Sequence, residues 1–146
     1  MLSTLVSAVL GKPRDAAPEV GSGGETRTVL VVDDDPNLRD LLRLTLTARG
    51  YRTLTATNGR EGVATARKER PDAIILDGNM PEMDGFEALK RLRRGRGTAE
   101  TPVVMLTARV REGDVLTGFR CGAQEYLAKP VTVEEVMNSL RALLER

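Results

Sequence analysis

The chain has 146 residues, enough for one domain with a proper core, and its 22 basic and 21 acidic side chains leave a net charge of +1. Bulk charge therefore gives no reason to expect nucleic-acid or membrane binding, and a lone cysteine, Cys121, excludes a disulfide framework and a Cys-rich metal site. Histidine is absent, which closes the general-base, zinc-ligand and phosphohistidine roles of that residue.

The first ten residues place Leu2, Leu5, Val6, Val9 and Leu10 on one helical face, but so short a helix needs a surface to lie on. Residues 1–10 are thus either a frayed tail or a helix docked on this domain or a partner. They lack the basic lead-in and cleavage site of a signal peptide, and no apolar run approaches the roughly 18 residues of a membrane span. A reducing cytoplasm is the expected location. Residues 11–28, with Gly-Lys-Pro, Ala-Ala-Pro and Gly-Ser-Gly-Gly, have linker composition, and the folded domain is expected over residues 29–146.

From Val29 onward strands and helices alternate, the signature of βαβ units. Val29-Leu30-Val31-Val32 forms the first strand. Asp35 then caps a helix with Pro36 at its first position and Gly50 at its close. A weaker strand over Arg52–Ala56 precedes a helix opened by Asn58 with Glu61 and ended before Pro71. The strand Ala73-Ile74-Ile75-Leu76-Asp77 is apolar up to its final residue, so helices must cover both its faces. A third helix follows Asp84, and its exit, with Arg91, Arg93, Arg94 and Arg96, reads as a solvated helix end. After Val103-Val104-Met105-Leu106-Thr107, a fourth helix is predicted from about Glu112 to Arg120. The strand Tyr126-Leu127-Ala128 and a fifth helix opened by a Thr132–Glu135 capping box complete an α/β fold with a doubly wound parallel sheet of five strands and five helices.

Four of these strands end in polar groups: Asp33-Asp34, Asp77, Thr107 and Lys129. Open α/β sheets place their sites at the carboxyl ends of the strands. Crowded carboxylates suit a hard, oxygen-preferring cation, and a nearby ammonium suits an oxyanion, so the pattern points to a divalent metal beside a phosphoryl group. Mutual repulsion among three acids should raise at least one pKa. Plainer readings exist for single residues. Asp33–Asp35 could merely start a helix, Tyr126 could be ordinary strand packing, and Cys121 before Gly122 suits a small packed residue. None of these explains why acids, a hydroxyl and an amine end separate strands.

The ordered blocks Val31-Val32-Asp33-Asp34, Leu76-Asp77-Gly78-Asn79-Met80-Pro81-Glu82-Met83-Asp84-Gly85, Leu106-Thr107-Ala108 and Tyr126-Leu127-Ala128-Lys129-Pro130 resemble the receiver domain of bacterial response regulators, the CheY-like module of two-component and phosphorelay systems. The resemblance implies a flavodoxin-like sheet of order 2-1-3-4-5. Asp77 would be the phosphoryl acceptor, and Mg²⁺ (or Mn²⁺) would be held by Asp33, Asp34, Asp77 and the backbone carbonyl of Asn79. Lys129 and Thr107 would bind phosphoryl oxygens, Thr107 and Tyr126 would act as the switch pair, and Lys129-Pro130 would be a cis peptide. Asn79 and Arg109, each two residues past a site residue, would overhang the phosphoryl group and tune its lifetime.

The expected protein is a stand-alone receiver, with no output domain after the last helix, that takes its phosphoryl group from a histidine kinase or a histidine phosphotransfer protein. It would be an acceptor with intrinsic dephosphorylation, not a conventional enzyme. Output would be binding to a downstream protein, or to a second copy through the face of the fourth helix, fifth strand and fifth helix or through residues 1–10, with no nucleic acid or membrane involved. A phosphorelay intermediate or phosphate sink is the alternative, and a degenerate scaffold is disfavoured by the complete Asp, Thr and Lys set. An aspartyl phosphatase would want a second acid where Asn79 stands, and a nucleotide- or flavin-binding module would want glycines where Asp33-Asp34-Asp35-Pro36 stands.

Overall fold

In the computed structural model, which describes residues 26–108 and 122–145, strand β1 (Thr28–Val32) sends Val29 and Val31 to one face and Leu30 and Val32 to the other, all fully buried. The same two-residue alternation runs through β3 (Ala73–Asp77) and β4 (Val103–Thr107), where every position is buried. Strands apolar on both sides require helices on both sides. Helices α1 (Pro36–Ala48) and α4 (Val133–Leu144) cover one face with Leu42, Leu46, Val136, Met137 and Leu140. Helices α2 (Gly59–Glu69) and α3 (Gly85–Arg93) cover the other with Val63, Ala66, Phe86, Leu89 and Leu92. Each fully buried leucine or isoleucine in these layers contributes about 2–3 kcal/mol against solvent exposure.

Strands β2 (Arg52–Ala56) and β5 (Glu125–Ala128) form the edges of a parallel sheet of order β2-β1-β3-β4-β5, as the resemblance implied. Both are more exposed than the inner strands, as edges are. The helix starts follow the predicted chemistry. Asp35, Asn58, Asp84 and Thr132 each accept a backbone N–H from the first turn, and Thr132 forms a reciprocal box with Glu135. Gly50, at φ 93°, follows α1 in the left-handed conformation that a side chain would disfavour.

Four helices lie among the described residues; the helix predicted over 112–120 falls outside them, as do Arg109, Cys121 and residues 1–25. The expectation that Arg93 belongs to a solvated helix end is corrected. Its half-buried guanidinium donates to the carbonyls of Gly122 (2.7 Å) and Thr98 (3.1 Å) and to Gln124 Oε1 (3.0 Å). Burial also pulls its pKa below the ordinary value. The surrounding carbonyls are the reason: a helix-end arginine reaches across the sheet edge to the entry of β5, a contact with no local sequence signal.

Candidate functional site

Parallel strands in register bring their carboxyl ends to one rim, so residues 33, 77, 107 and 129, distant along the chain, meet there. Asp33 and Asp77 are each 1 % exposed, Thr107 is fully buried, and Asp34 is exposed at the mouth. One carboxylate oxygen from each of Asp33, Asp34 and Asp77 lies within 4.8 Å of the other two. Lys129 Nζ stands 3.1 Å from Asp77 Oδ1 and 3.8 Å from Asp33 Oδ2, so one ammonium faces two buried acids. The Lys129-Pro130 peptide is cis.

The two buried carboxylates are half satisfied. Asp33 Oδ1 accepts the Asp35 N–H at 2.9 Å, and Asp77 Oδ1 accepts the Asn79 N–H at 3.0 Å as well as Lys129. Asp33 Oδ2 and Asp77 Oδ2 have no hydrogen-bond donor. A buried charged oxygen without a partner is costly, and a cation is the partner that removes the cost. Burial, more than repulsion from Asp77, pushes the Asp33 carboxyl up to about 7, while the Asp35 amide and Lys129 oppose it. Asp34 is shifted in the same direction, again with desolvation as the leading cause. The expected rise is present, but its main origin is desolvation; like charge comes second.

Oxygen-only donors, two of them unfilled, fit a hard divalent ion that keeps several of its own waters. Asp33, Asp34 and Asp77 are the side chains able to hold it. The backbone supports this arrangement closely. Arg39 donates to the Asp33 carbonyl at 2.9 Å, and the Gly85 N–H donates to the Gly78 carbonyl at 3.2 Å, closing the loop over residues 78–84. A Cβ on Gly85 would collide with the Asp77 carbonyl oxygen, so only glycine lets α3 start this near the end of β3. Met80 and Met83, both buried, anchor the loop from below.

Opposite the acids lies a donor pair. The Thr107 hydroxyl and the Ala108 N–H both point to Asn79 Oδ1, each at 2.7 Å. Asn79, expected to overhang the phosphoryl group, spans from Asp77 Oδ1 through its N–H to the end of β4 through its carboxamide. Ala108 went unrecognised as a site residue because its contribution is a backbone N–H, for which a sequence carries no signal. Tyr126 is half-buried, with its ring centroid 6.2 Å from that of Phe86, against the core that underlies Thr107. Arg109 lies outside the described residues.

No helix among the described residues is long and apolar enough to cross a membrane. A family model described as the response regulator receiver domain matches residues 29–141. The DNA-binding dual master transcriptional regulator RpaA of Synechocystis is 45% identical over 118 residues, 81% of this chain and 49% of RpaA. The chain spans about half the length of this and several other curated relatives that it matches. Among solved structures, the chemotaxis protein CheY4 of Vibrio cholerae superposes with a TM-score of 0.78 at 38% identity, covering 82% of this chain and 100% of that one. The receiver domain of the sensor histidine kinase PA1611 of Pseudomonas aeruginosa, with a magnesium ion coordinated in its active-site cleft, gives a TM-score of 0.75 at 29% identity over 84% of this chain and 100% of that one. Fold, site geometry and family match agree, and the chain belongs to the response-regulator receiver domains.

Proposed function

We propose that this receiver is a phosphorylation switch in which Asp77 accepts a phosphoryl group from a phosphohistidine on a partner, a histidine kinase or a histidine phosphotransfer protein. The observation that carries the reading is the meeting of two half-satisfied buried carboxylates with one ammonium and a two-donor site at a single rim. In the reaction, a carboxylate oxygen of Asp77 forms a bond to phosphorus while the P–N bond to the donor imidazole breaks, and the imidazole leaves with the electron pair. These 146 residues hold no histidine, so the phosphohistidine lies outside them.

Mg²⁺, or Mn²⁺ in its place, bound by Asp33, Asp34, Asp77 and the Asn79 carbonyl, would supply charge neutralisation between acceptor and phosphoryl oxygens. The cation in the PA1611 receiver supports that choice. The chain's own groups do the rest. Lys129 holds Asp77 in place and takes phosphoryl charge, and Thr107 with the Ala108 N–H binds an equatorial oxygen. Drawing Thr107 toward the new dianion frees space toward Tyr126, whose inward movement remodels the surface around β5 and α4 for a downstream protein or a second copy. The protein is an acceptor that later loses its phosphoryl group to water, working in the cytoplasm, not a conventional enzyme.

The full coverage of CheY4 supports action as a single-domain switch. The half-length match to RpaA supports a second reading, a receiver module within a longer regulator. Both readings meet the same test. Incubation with acetyl phosphate and Mg²⁺ should add roughly 80 Da to the intact mass, the size of one phosphoryl group. Asp77→Asn should add nothing. Full-length protein that gains no mass, or Asp77→Asn that gains as much as wild type, would overturn the acceptor reading.

A further inference from the structure

The donor pair at the end of β4 is already filled. Thr107 is fully buried, and its hydroxyl donates to Asn79 Oδ1 at 2.7 Å. The Ala108 N–H, which can only donate, meets the same oxygen at 2.7 Å, so the atom there is the carboxamide oxygen and not its nitrogen. At the other end of the same residue, the Asn79 N–H is tied to Asp77 Oδ1. Asn79 thus arches from the acceptor carboxylate to the donor pair, and one neutral oxygen sits where two convergent donors would hold an oxyanion.

We propose that the Asn79 carboxamide is a resident stand-in for the phosphoryl group. Its oxygen satisfies Thr107 and Ala108 in the unphosphorylated protein and has to leave before a phosphoryl oxygen can take its place. The inference rests on the acceptor role of Asp77 and adds a step to it. The contact gives the Thr107 hydroxyl and the Ala108 N–H a shared acceptor inside the chain in the unphosphorylated protein. With it, the donors keep their positions, and each phosphorylation breaks two neutral hydrogen bonds. The exchange still runs forward, because a charged phosphoryl oxygen accepts roughly twice as strongly as a neutral carbonyl. Asn79 therefore sets a threshold. It weakens the hold on a phosphoryl oxygen by about the worth of the bonds it forfeits, and it returns to the donors when the phosphoryl group is lost.

The test compares full-length wild type with Asn79→Ala and Asn79→Asp, using beryllofluoride at saturating Mg²⁺ as a non-covalent phosphoryl probe and the Ala108 amide resonance as a local reporter. In wild type the Ala108 N–H exchanges a neutral acceptor for a charged one on binding the probe, so its resonance should move modestly downfield. In Asn79→Ala it should start upfield, as an unbonded amide does, and join the wild-type position on binding. Half-saturation by beryllofluoride should then fall about tenfold, the size of one net hydrogen bond or slightly more. Asn79→Asp, matched in size, should move Ala108 further downfield and raise half-saturation, because a carboxylate is the stronger competitor.

An Ala108 resonance indifferent to residue 79 would show that the contact does not exist, and half-saturation within twofold across the three proteins would show that it does not compete. Either result overturns the inference. Failure of the acceptor reading looks different: wild type and Asn79→Ala alike would ignore beryllofluoride and keep their mass with acetyl phosphate.

Discussion

The two halves of the rim are built from opposite deficits. On the side of β1 and β3, Asp33 and Asp77 carry buried oxygens with no hydrogen-bond donor, and the Asp33 pKa is driven up by burial. On the side of β4 and β5, the Thr107 hydroxyl and Ala108 N–H each have a partner inside the chain, and the Lys129 amine already faces two carboxylates. One half is built to take a cation; the other could hold an anion and is occupied by an internal acceptor. The acidic half gains when metal arrives, whereas the donor half must first release something. Loading the first half should therefore be set by pH and metal, and loading the second by competition.

Lys129 faces both buried carboxylates and stands beside the place of the phosphoryl group, and its removal should have the largest effect. Lys129→Ala leaves two buried carboxylates facing each other with no counter-charge and deprives the phosphoryl group of its ammonium. Loss of a single preorganised donor typically lowers a rate by about 10²–10³. The initial rate of phosphorylation by acetyl phosphate, followed by intact mass, should drop by at least the lower of these factors. A drop smaller than tenfold would mean that the two halves do not share this charge.

Next in size is the pH dependence of stability. Asp33 has a folded pKa near 7 against 3.8 for the ordinary group. Below pH 4 both the folded and unfolded states carry the proton, and there is no penalty. Between about pH 4 and 7 the unfolded chain gives up its proton while the folded protein keeps it, so metal-free stability should decline as pH rises and level off above 7. Three pH units correspond to a loss on the order of 4 kcal/mol. Mg²⁺ should reverse the slope, because it binds the ionised form and stabilises by mass action, increasingly from pH 5 to 8. Asp33→Asn should flatten both curves. Chemical denaturation with and without Mg²⁺ at pH 5 and 8 reads this directly, and parallel curves would mean that burial of Asp33 is not what poises the acidic half.

This comparison also marks what the sequence could carry. Helix caps and the convergence of residues 33, 34, 77, 107 and 129 were legible, because strands apolar on both faces call for a layered parallel sheet whose carboxyl ends share one rim, while the sheet order came from the resemblance. The acidic half was legible residue by residue, since its chemistry is in side chains. The donor half was less so. Ala108 contributes only an N–H, and whether Asn79 points at the cavity or at β4 depends on a rotamer that spacing does not encode. Arg93 was misjudged for a related reason: its partners are carbonyls of Thr98 and Gly122, and a run of arginines looks the same whether solvated or bridging.

The spacing between the halves gives the last and smallest effect. Gly85 begins α3 directly beneath the end of β3, with its N–H on the Gly78 carbonyl and no room for a Cβ against the Asp77 carbonyl oxygen or Gly78 Cα. These neighbours are backbone atoms and cannot rotate away, so Gly85→Ala must shift either α3 or the loop over 78–84. Overpacking of this kind costs about 1–3 kcal/mol. The helix is anchored in the core by Phe86, Leu89 and Leu92, whereas the loop has Met80 and Met83 buried but Asn79 exposed, so the loop around Asn79 should give way first. Asn79 would then be carried off the donor pair. Gly85→Ala should lower the denaturation midpoint and move the Ala108 amide resonance upfield together, while leaving the Asp35 amide, which reports on the acidic half through Asp33, near its wild-type position. Equal displacement of both amides would mean that the halves move as one rigid unit and that the distinction between them is chemical only.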